Sequence, residues 1–418
     1  MIRKPVAALL CVLAFACGKE EAPAELPIAT TSTRHEDIPK YTNEPEPEYD
    51  ENNLLNLAYG AAVVSRTAEA TLENSAVQAI DGSSATAWTS PPSSPAQTFV
   101  FSLLGPARIA RVGITNSAAD GSAATTITFE GSSDGVQWRA LKTVSSKGAA
   151  EKPEFWDVPA TTAQYVRIST KGLDTISVRS FHAIGQELGT FAMPPLEGCY
   201  RINETPARFV RDGASIRGVI ATTPPTLLDG GTDGRVAQFL WTQGPTWGYG
   251  AITLAPNAAT LTGLRIHEEI STQQYGEGWF GARIPCDGLT LDAPAAGSLK
   301  PRTPLERWTM FGLRFDDDDQ LIADASKAEL DALSRRIAAT PSQTFRIVAH
   351  ELREMTADVS KQRTQKRVDA MRAALKSRGA DLSRIEFVSA GDAWSEPPIF
   401  TALQRLLASR VDLERVER

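Results

Sequence analysis

The chain has 418 residues, of which 22% are charged and 42% hydrophobic, with a formal net charge of −7. These values exclude a collagen-like, coiled-coil or wholly disordered chain. At roughly 100–200 residues per domain they predict two to four domains, each able to bury its own core. Mild acidity argues against nucleic acid as a partner, since phosphate contacts need a basic surface. Four histidines leave little material for His-based catalysis or a multi-His metal site. The expectation is a binding or structural protein, not an enzyme.

Arg3 and Lys4 precede an apolar run, Val6 to Phe15, which ends at Ala16 before Cys17. A helix of roughly 15 Å is far short of the ~30 Å hydrocarbon core, so the run reads as a signal segment over residues 1–16. A small residue directly before a cysteine at this point resembles the bacterial lipoprotein signal. The resemblance implies that Cys17 becomes the acylated N-terminus. Ala14 and Phe15 depart from the usual pattern, and the alternative is ordinary secretory cleavage at Ala16 or beyond. At ~0.8 kcal/mol per buried CH₂, two or three acyl chains hold a protein at a membrane essentially for good.

Residues 17–53 follow as anchor and linker. Gly18 to Asn53 carries ten acids against three bases and five prolines. Such composition reads as a disordered acidic leash with an r.m.s. reach of ~33 Å and a contour limit near ~120 Å. Cys11 and Cys17 belong to the signal, leaving Cys199 and Cys286. In an exported chain these most simply form one disulfide, the alternative being two free buried thiols. Closing a loop of about 87 residues stabilises by ~4.6 kcal/mol on the chain-entropy account.

In region 54–188, short alternating runs recur with turn signals between them. They are Thr98–Leu103, Ile109–Thr115, Thr126–Ser132, Gln164–Ser169 and Ser177–Gly185. This spacing predicts a β-sandwich or barrel. Four motifs carry a resemblance to the discoidin (coagulation-factor type C, galactose-binding-like) family. They are Asp81-Gly82 with Thr86-Ala87-Trp88, the strand Phe99–Leu103, the turn Ser132–Trp138 and the strand Tyr165–Ile168. The resemblance implies a jelly-roll sandwich that binds sugars, lipid head groups or proteins through loops at one end. It also implies inward-facing Trp88 and Trp138. Many members hold a structural Ca²⁺ near the first motif, where Asp81 and Thr86 would supply oxygens. The acid expected near the last strand is Ser180 here, with His182 close by. Loop Asn116–Ala124 is small and polar and lacks the aromatic that sugar stacking uses.

Region 196–290 reads as a small β-rich domain. Ala207–Arg211 and Ser215–Ile220 flank Asp212-Gly213, a hairpin signal because the pair supplies positive φ. Ile252–Leu254 and Leu261–Ile266 suggest a second hairpin. Trp241, Trp247, Tyr249, Tyr275, Trp279 and Phe280 sit among glycines. They form either a barrel core, which is the reading adopted, or a platform for sugar rings.

Region 302–418 changes period. Strands are expected at Trp308–Phe315, Thr344–His350, Arg384–Ser389 and Val411–Val416. Helices are expected at Ala325–Ala338, Arg363–Arg378 and Pro398–Ala408. This β-α-β-α-β-α-β order implies a sheet with helices on one face. The order, with Phe311–Asp316, Ala349-His350, Arg363–Gly379 and Ser409–Leu413, resembles a degenerate OmpA-like peptidoglycan-binding domain. In that family an Asp and a helix Arg clamp diaminopimelate in the peptide stem. Carried over by position, the Arg is Arg367, helped by Arg363. The Asp falls at Leu352 and the family's Asn at Ser360. Leucine cannot hold an ammonium group, and Glu351 or Glu354 are the nearest substitutes. Basic residues from Arg353 to Arg378 cluster where an anionic wall would dock; otherwise they are a solvated helix face.

Two other signals are set aside. His350-Glu351 begins like a zinc-protease helix, but Glu354 stands where the second His is required. Asp316–Asp319 lacks the Gly and Glu of an EF-hand loop and reads as a solvated turn capping the next helix. The expected whole is a multidomain, β plus α+β, non-enzymatic lipoprotein of the cell envelope, on the outer membrane. Its expected partners are a membrane, peptidoglycan or other glycans, and envelope proteins, with no cofactor beyond the Ca²⁺. The competing expectation is a glycan- or protein-recognition module with a vestigial OmpA-like domain.

Overall fold

The computed structural model describes residues 53–83, 86–117, 122–148, 153–267, 276–295, 307–351, 356–391, 403, 406–407 and 409–416. The signal, Cys17 and the leash up to Asn52 lie outside the described residues. Among the described residues no helix is long and apolar enough to cross a membrane.

The first region is a seven-stranded sheet wrapped into a sandwich. Its strands are β1 (Ala62–Arg66), β2 (Trp88–Thr89), β3 (Ala96–Asn116), β4 (Thr126–Ser132), β5 (Arg139–Ser145), β6 (Glu154–Lys171) and β7 (Ser177–Glu187). Their order is β2-β7-β3-β6-β4-β5, with β1 also on β3. The expected strands at 98–103 and 109–115 are two halves of the single strand β3. Its register on β6 breaks between Ser102 and Ala107, around Gly105-Pro106, so one strand serves both layers. Trp88, Phe99, Phe101, Phe129 and Phe181 fill the core, with Trp88 edge-on to Phe99 at 4.6 Å. Trp138 departs from expectation. It is half-buried, and Arg167 stacks on it at 4.5 Å while pairing with Glu130.

The second region closes into a barrel of β8 (Gly198–Ile202), β9 (Thr205–Asp212), β10 (Ser215–Ile220), β11 (Thr226–Thr232), β12 (Ala237–Gln243), β13 (Thr246–Leu254), β14 (Thr260–His267) and β15 (Gly278–Ile284). Closure removes every edge and leaves the interior to side chains. Tyr200, Phe209, Phe239, Trp241 and Trp279 fill it. Both expected hairpins are present, and Gly213 turns the first at φ +62°. Cys199 and Cys286 form a disulfide, with Cα atoms 5.2 Å apart, that ties the ends of this unit together.

Alternation along β12 explains how the barrel joins its neighbours. Ala237, Phe239 and Trp241 point inward, whereas Gln238 reaches the carbonyl of Leu406 at 3.2 Å. Of the remaining aromatics of the glycine-rich stretch, Trp247 packs on Leu240 and Tyr249 of the barrel itself, whereas two others serve contacts between regions. Tyr249 packs edge-on against Phe311 and under Arg410, and Phe280 lies under Arg66 of the sandwich. Tyr275 lies outside the described residues.

The third region has a four-stranded sheet, order β16-β19-β17-β18, from β16 (Arg307–Thr309), β17 (Thr344–His350), β18 (Ile385–Gly391) and β19 (Val411–Val416). Helices α1 (Lys327–Ala339) and α2 (Ala357–Ser377) connect them. Leu330, Leu333 and Ile337 of α1 and Val368, Met371 and Leu375 of α2 pack on Phe345, Ile347 and Leu413. The expected strand 308–315 is only three residues long, because the chain then turns through Met310–Leu313 onto the barrel. Of the third expected helix, only residues 403, 406 and 407 are described, and they are helical.

Candidate functional site

Helix α2 sorts its cations by side. Lys361, Lys366, Arg372 and Lys376 face solvent, whereas Arg363 and Arg367 turn inward on the stripe shared with Ser360, Thr364 and Val368. Arg353 lies outside the described residues. Arg367 is only 7% exposed, and its donors are engaged. Nε meets Asp319 at 2.9 Å, one terminal nitrogen meets Glu351 at 2.5 Å, and the other approaches the His350 carbonyl at 3.4 Å. Arg363 grips the same Asp319 with two bonds of 2.6 and 3.0 Å.

Asp319 corrects the reading of the aspartate run as a solvated, helix-capping turn. Asp316 does make a turn, accepting the backbone N–H groups of Asp318 and Gln320. Asp319, at φ +61°, points its carboxylate inward between the two arginines, and the residue before α1 is Ser326. Burial opposes its ionisation, yet the Arg363 and Arg367 hydrogen bonds hold the carboxyl below the usual range. Glu351, one residue before the family Asp position at Leu352, supplies a second acid and accepts from Ser409 at 2.6 Å. Leu352 and Glu354 lie outside the described residues. Glu351 was the adjacent acid; Asp319 carried no sequence signal, being 48 residues from Arg367.

Above this network opens a cavity of about 350 Å³. Arg314, Arg363, Arg367, Arg410 and Ser409 line one side, and Asp233, Arg235 and Gln238 of the barrel line the other. Under Arg410, Asp412 accepts its Nε and the Thr309 hydroxyl. Burial pushes the neighbouring His350 down to about 4, so it is neutral at physiological pH.

A second buried cluster lies between barrel and α1. Glu329 and Asp229 face Arg336 and Arg217, and burial followed by Asp229 raises the Glu329 carboxyl to about 8. The cavity beside them holds only about 10 Å³, the space of one water. No substrate fits there.

In the sandwich, Asp81 is buried. Its two oxygens accept the Ser83 N–H at 2.7 Å and the Thr86 hydroxyl at 2.8 Å. Burial lifts its carboxyl to about 7. Ca²⁺ takes six to eight oxygens from carboxylates, backbone and amide carbonyls and waters. Among the described residues no group of three or more His, Cys, Asp or Glu is placed to share a metal. Ser180 and His182, where a second acid is expected, hydrogen-bond each other at 2.9 Å. Among the described residues, Asp81 and Thr86 staple their own turn.

His182 also touches Thr115 at 3.0 Å and Asn53 at 3.2 Å. Asn53 accepts the N–H groups of Leu55 and Ala183 through its oxygen, so its amide nitrogen faces His182 Nδ1. That makes Nδ1 an acceptor and Nε2 the N–H. A ring in this tautomer cannot take a proton from Ser180, and burial holds it neutral, down to about 4.

The F5/8 type C domain model matches residues 63–180, the span from β1 into β7. Residues 63–180 are an F5/8 type C domain. Solved structures similar to this F5/8 type C domain include the C-terminal domain of a chitobiase from Bacteroides fragilis, at 20% identity over 31% of this chain and 96% of that one, TM-score 0.29. Another is CpGH89CBM32-5 from Clostridium perfringens, in complex with GalNAc-beta-1,3-galactose, at 19% identity over 31% and 97%, TM-score 0.28. A third is chitosan-binding module 1 of a chitosanase/glucanase from Paenibacillus sp. IK-5, at 24% identity over 32% and 98%, TM-score 0.28. No curated protein matches the chain.

Proposed function

We infer that this protein is a non-enzymatic, carbohydrate-binding component of a bacterial cell envelope. Lipid on Cys17 holds it to the outer membrane, and the acidic leash carries the body away from the bilayer. The F5/8 type C sandwich recognises a glycan, and the C-terminal domain engages the cell wall through the cavity bordered by Arg363 and Arg367. The F5/8 type C match over residues 63–180 carries the reading. The filled barrel and the inert His182 tautomer favour binding over turnover.

The test is retention of the mature chain on purified sacculi, together with a glycan array. Expected are a glycan hit and sacculus retention that Arg363→Gln weakens. Absence of both removes the reading. Fatty-acid labelling of wild type against Cys17→Ser tests the anchor, with label expected only in the wild type.

One observation favours a second reading, a recognition module without a wall-binding role. Arg367 is buried and engaged by Asp319 and Glu351, an internal ion network in place of an open fork. Sacculus retention unaffected by Arg363→Gln, alongside a glycan hit, selects this alternative.

A further inference from the structure

The cavity has two walls from different regions, and the barrel wall is a turn held by its own hydrogen bonds. Asp233 Oδ1 accepts the N–H groups of Arg235 and Val236 at 2.8 and 2.9 Å, while Thr232 Oγ1 donates to the Val236 carbonyl at 3.1 Å. These bonds fix the turn before any ligand arrives. The two walls are locked together as well. Gln238 holds the Leu406 carbonyl, Ala214 N–H donates to the Ala325 carbonyl, and the Phe311 carbonyl lies where a side chain on Gly231 would stand, 2.0 Å from its Cβ position. Only glycine allows that approach, so the cavity cannot widen without undocking the third region.

We propose that the barrel turn 232–236 decides what this cavity admits, with Arg235 a specificity-determining residue for a carboxylate-bearing ligand no larger than one sugar or amino-acid unit. This rests on the reading of the cavity as a binding site. Size comes from the volume of about 350 Å³ between fixed walls, near the lower limit for ligand pockets. That volume holds one sugar or amino-acid unit at a time. Charge preference comes from five guanidinium groups, those of Arg235, Arg314, Arg363, Arg367 and Arg410, which outnumber the lining carboxylates of Asp233, Asp316 and Asp317. Arg363 and Arg367 are already engaged by Asp319, so the barrel's Arg235 weighs most. Glu187 of the sandwich grips Arg235 at 2.8 and 3.1 Å, yet the Arg235 side chain remains 36% exposed. One carboxylate does not exhaust a guanidinium, which carries five N–H donors. The grip instead orients the group in advance, which lowers the entropy lost on binding.

Titration calorimetry on the full mature chain tests this with three compounds: glucuronate, glucose and the dipeptide Ala-Glu. Glucuronate or Ala-Glu is expected to bind at least about tenfold tighter than glucose, and the preferred one names the ligand's source. Arg235→Gln is expected to weaken that binding at least about tenfold. Glu187→Gln keeps the guanidinium and is expected to stay within about fivefold of wild type. Equal binding of glucose, an unchanged Arg235→Gln, or a Glu187→Gln loss as large as that of Arg235→Gln overturns the proposal. Sacculus retention is read in parallel. Retention without carboxylate preference overturns this inference alone, and carboxylate binding without retention overturns the wall-binding role alone.

Discussion

The guanidinium of Arg367 on α2 meets the carboxylate of Glu351, just past the end of β17, at 2.5 Å, and both side chains are buried. Removing one partner of such a pair strands the other charge away from water. Arg367→Ala is therefore expected to cost about 3–5 kcal/mol, read by chemical denaturation. The double variant Arg367→Met with Glu351→Leu should recover much of that loss. A cost under about 1 kcal/mol for the single variant would contradict the buried network.

The pH dependence follows from groups of opposite sign. Glu329 titrates near 8 in the fold and near 4.5 in the unfolded chain, so between those values the native state holds the extra proton. Stability from this group is present below about 4.5 and falls as pH rises towards 8, with a slope of at most ~1.4 kcal/mol per pH unit. Asp81, raised to about 7, acts in the same direction. His182 and His350, lowered to about 4, do the reverse, since the unfolded chain binds more protons from about 4 to 6.5. Melting temperatures for Glu329→Gln should fall less than wild type from pH 6 to about 9. Parallel curves would contradict the assignment.

The Cys199–Cys286 bridge spans 87 residues and closes the barrel's chain ends. Replacing both cysteines with serine is expected to lower stability by about 2–5 kcal/mol, measured by denaturation under non-reducing conditions.

The two tryptophans of the sandwich motifs should separate cleanly. Trp88 has no exposed surface, and Trp88→Ala is expected to cost about 3–5 kcal/mol. Trp138 is half-buried under Arg167, and its replacement should cost about 1 kcal/mol, the scale of one stacked cation. Similar losses at both positions would restore the inward reading of Trp138.

Much of the fold was legible because it is written in local periodicity. Strands β4 and β17 run over the residues their alternation indicates, and the Leu330, Leu333 and Ile337 stripe does lie on the sheet. Strand β5 gave little signal, since on an edge only Leu141 is buried and its pattern is mostly polar. The bend in β3 was read as a break, because Gly105-Pro106 looks the same in a turn as in a strand that changes layers. At the candidate site, Arg367, with Arg363 beside it, came from the resemblance to the OmpA-like helix motif; spacing alone gave only a solvated basic face.

The sequence alone indicated the β-sandwich motifs, which depend on neighbours a few residues apart, and left one possible pair among the body cysteines by simple elimination; the structure shows that pair bonded. Tertiary structure decided which charges meet. Asp319 reaches Arg367 across 48 residues, and Arg235 joins Glu187 across 48 more, contacts that no local pattern encodes. It also decided that Tyr249 and Phe280, on the outside of the barrel, are covered by neighbouring regions, because burial depends on what docks against a face and not on the face itself.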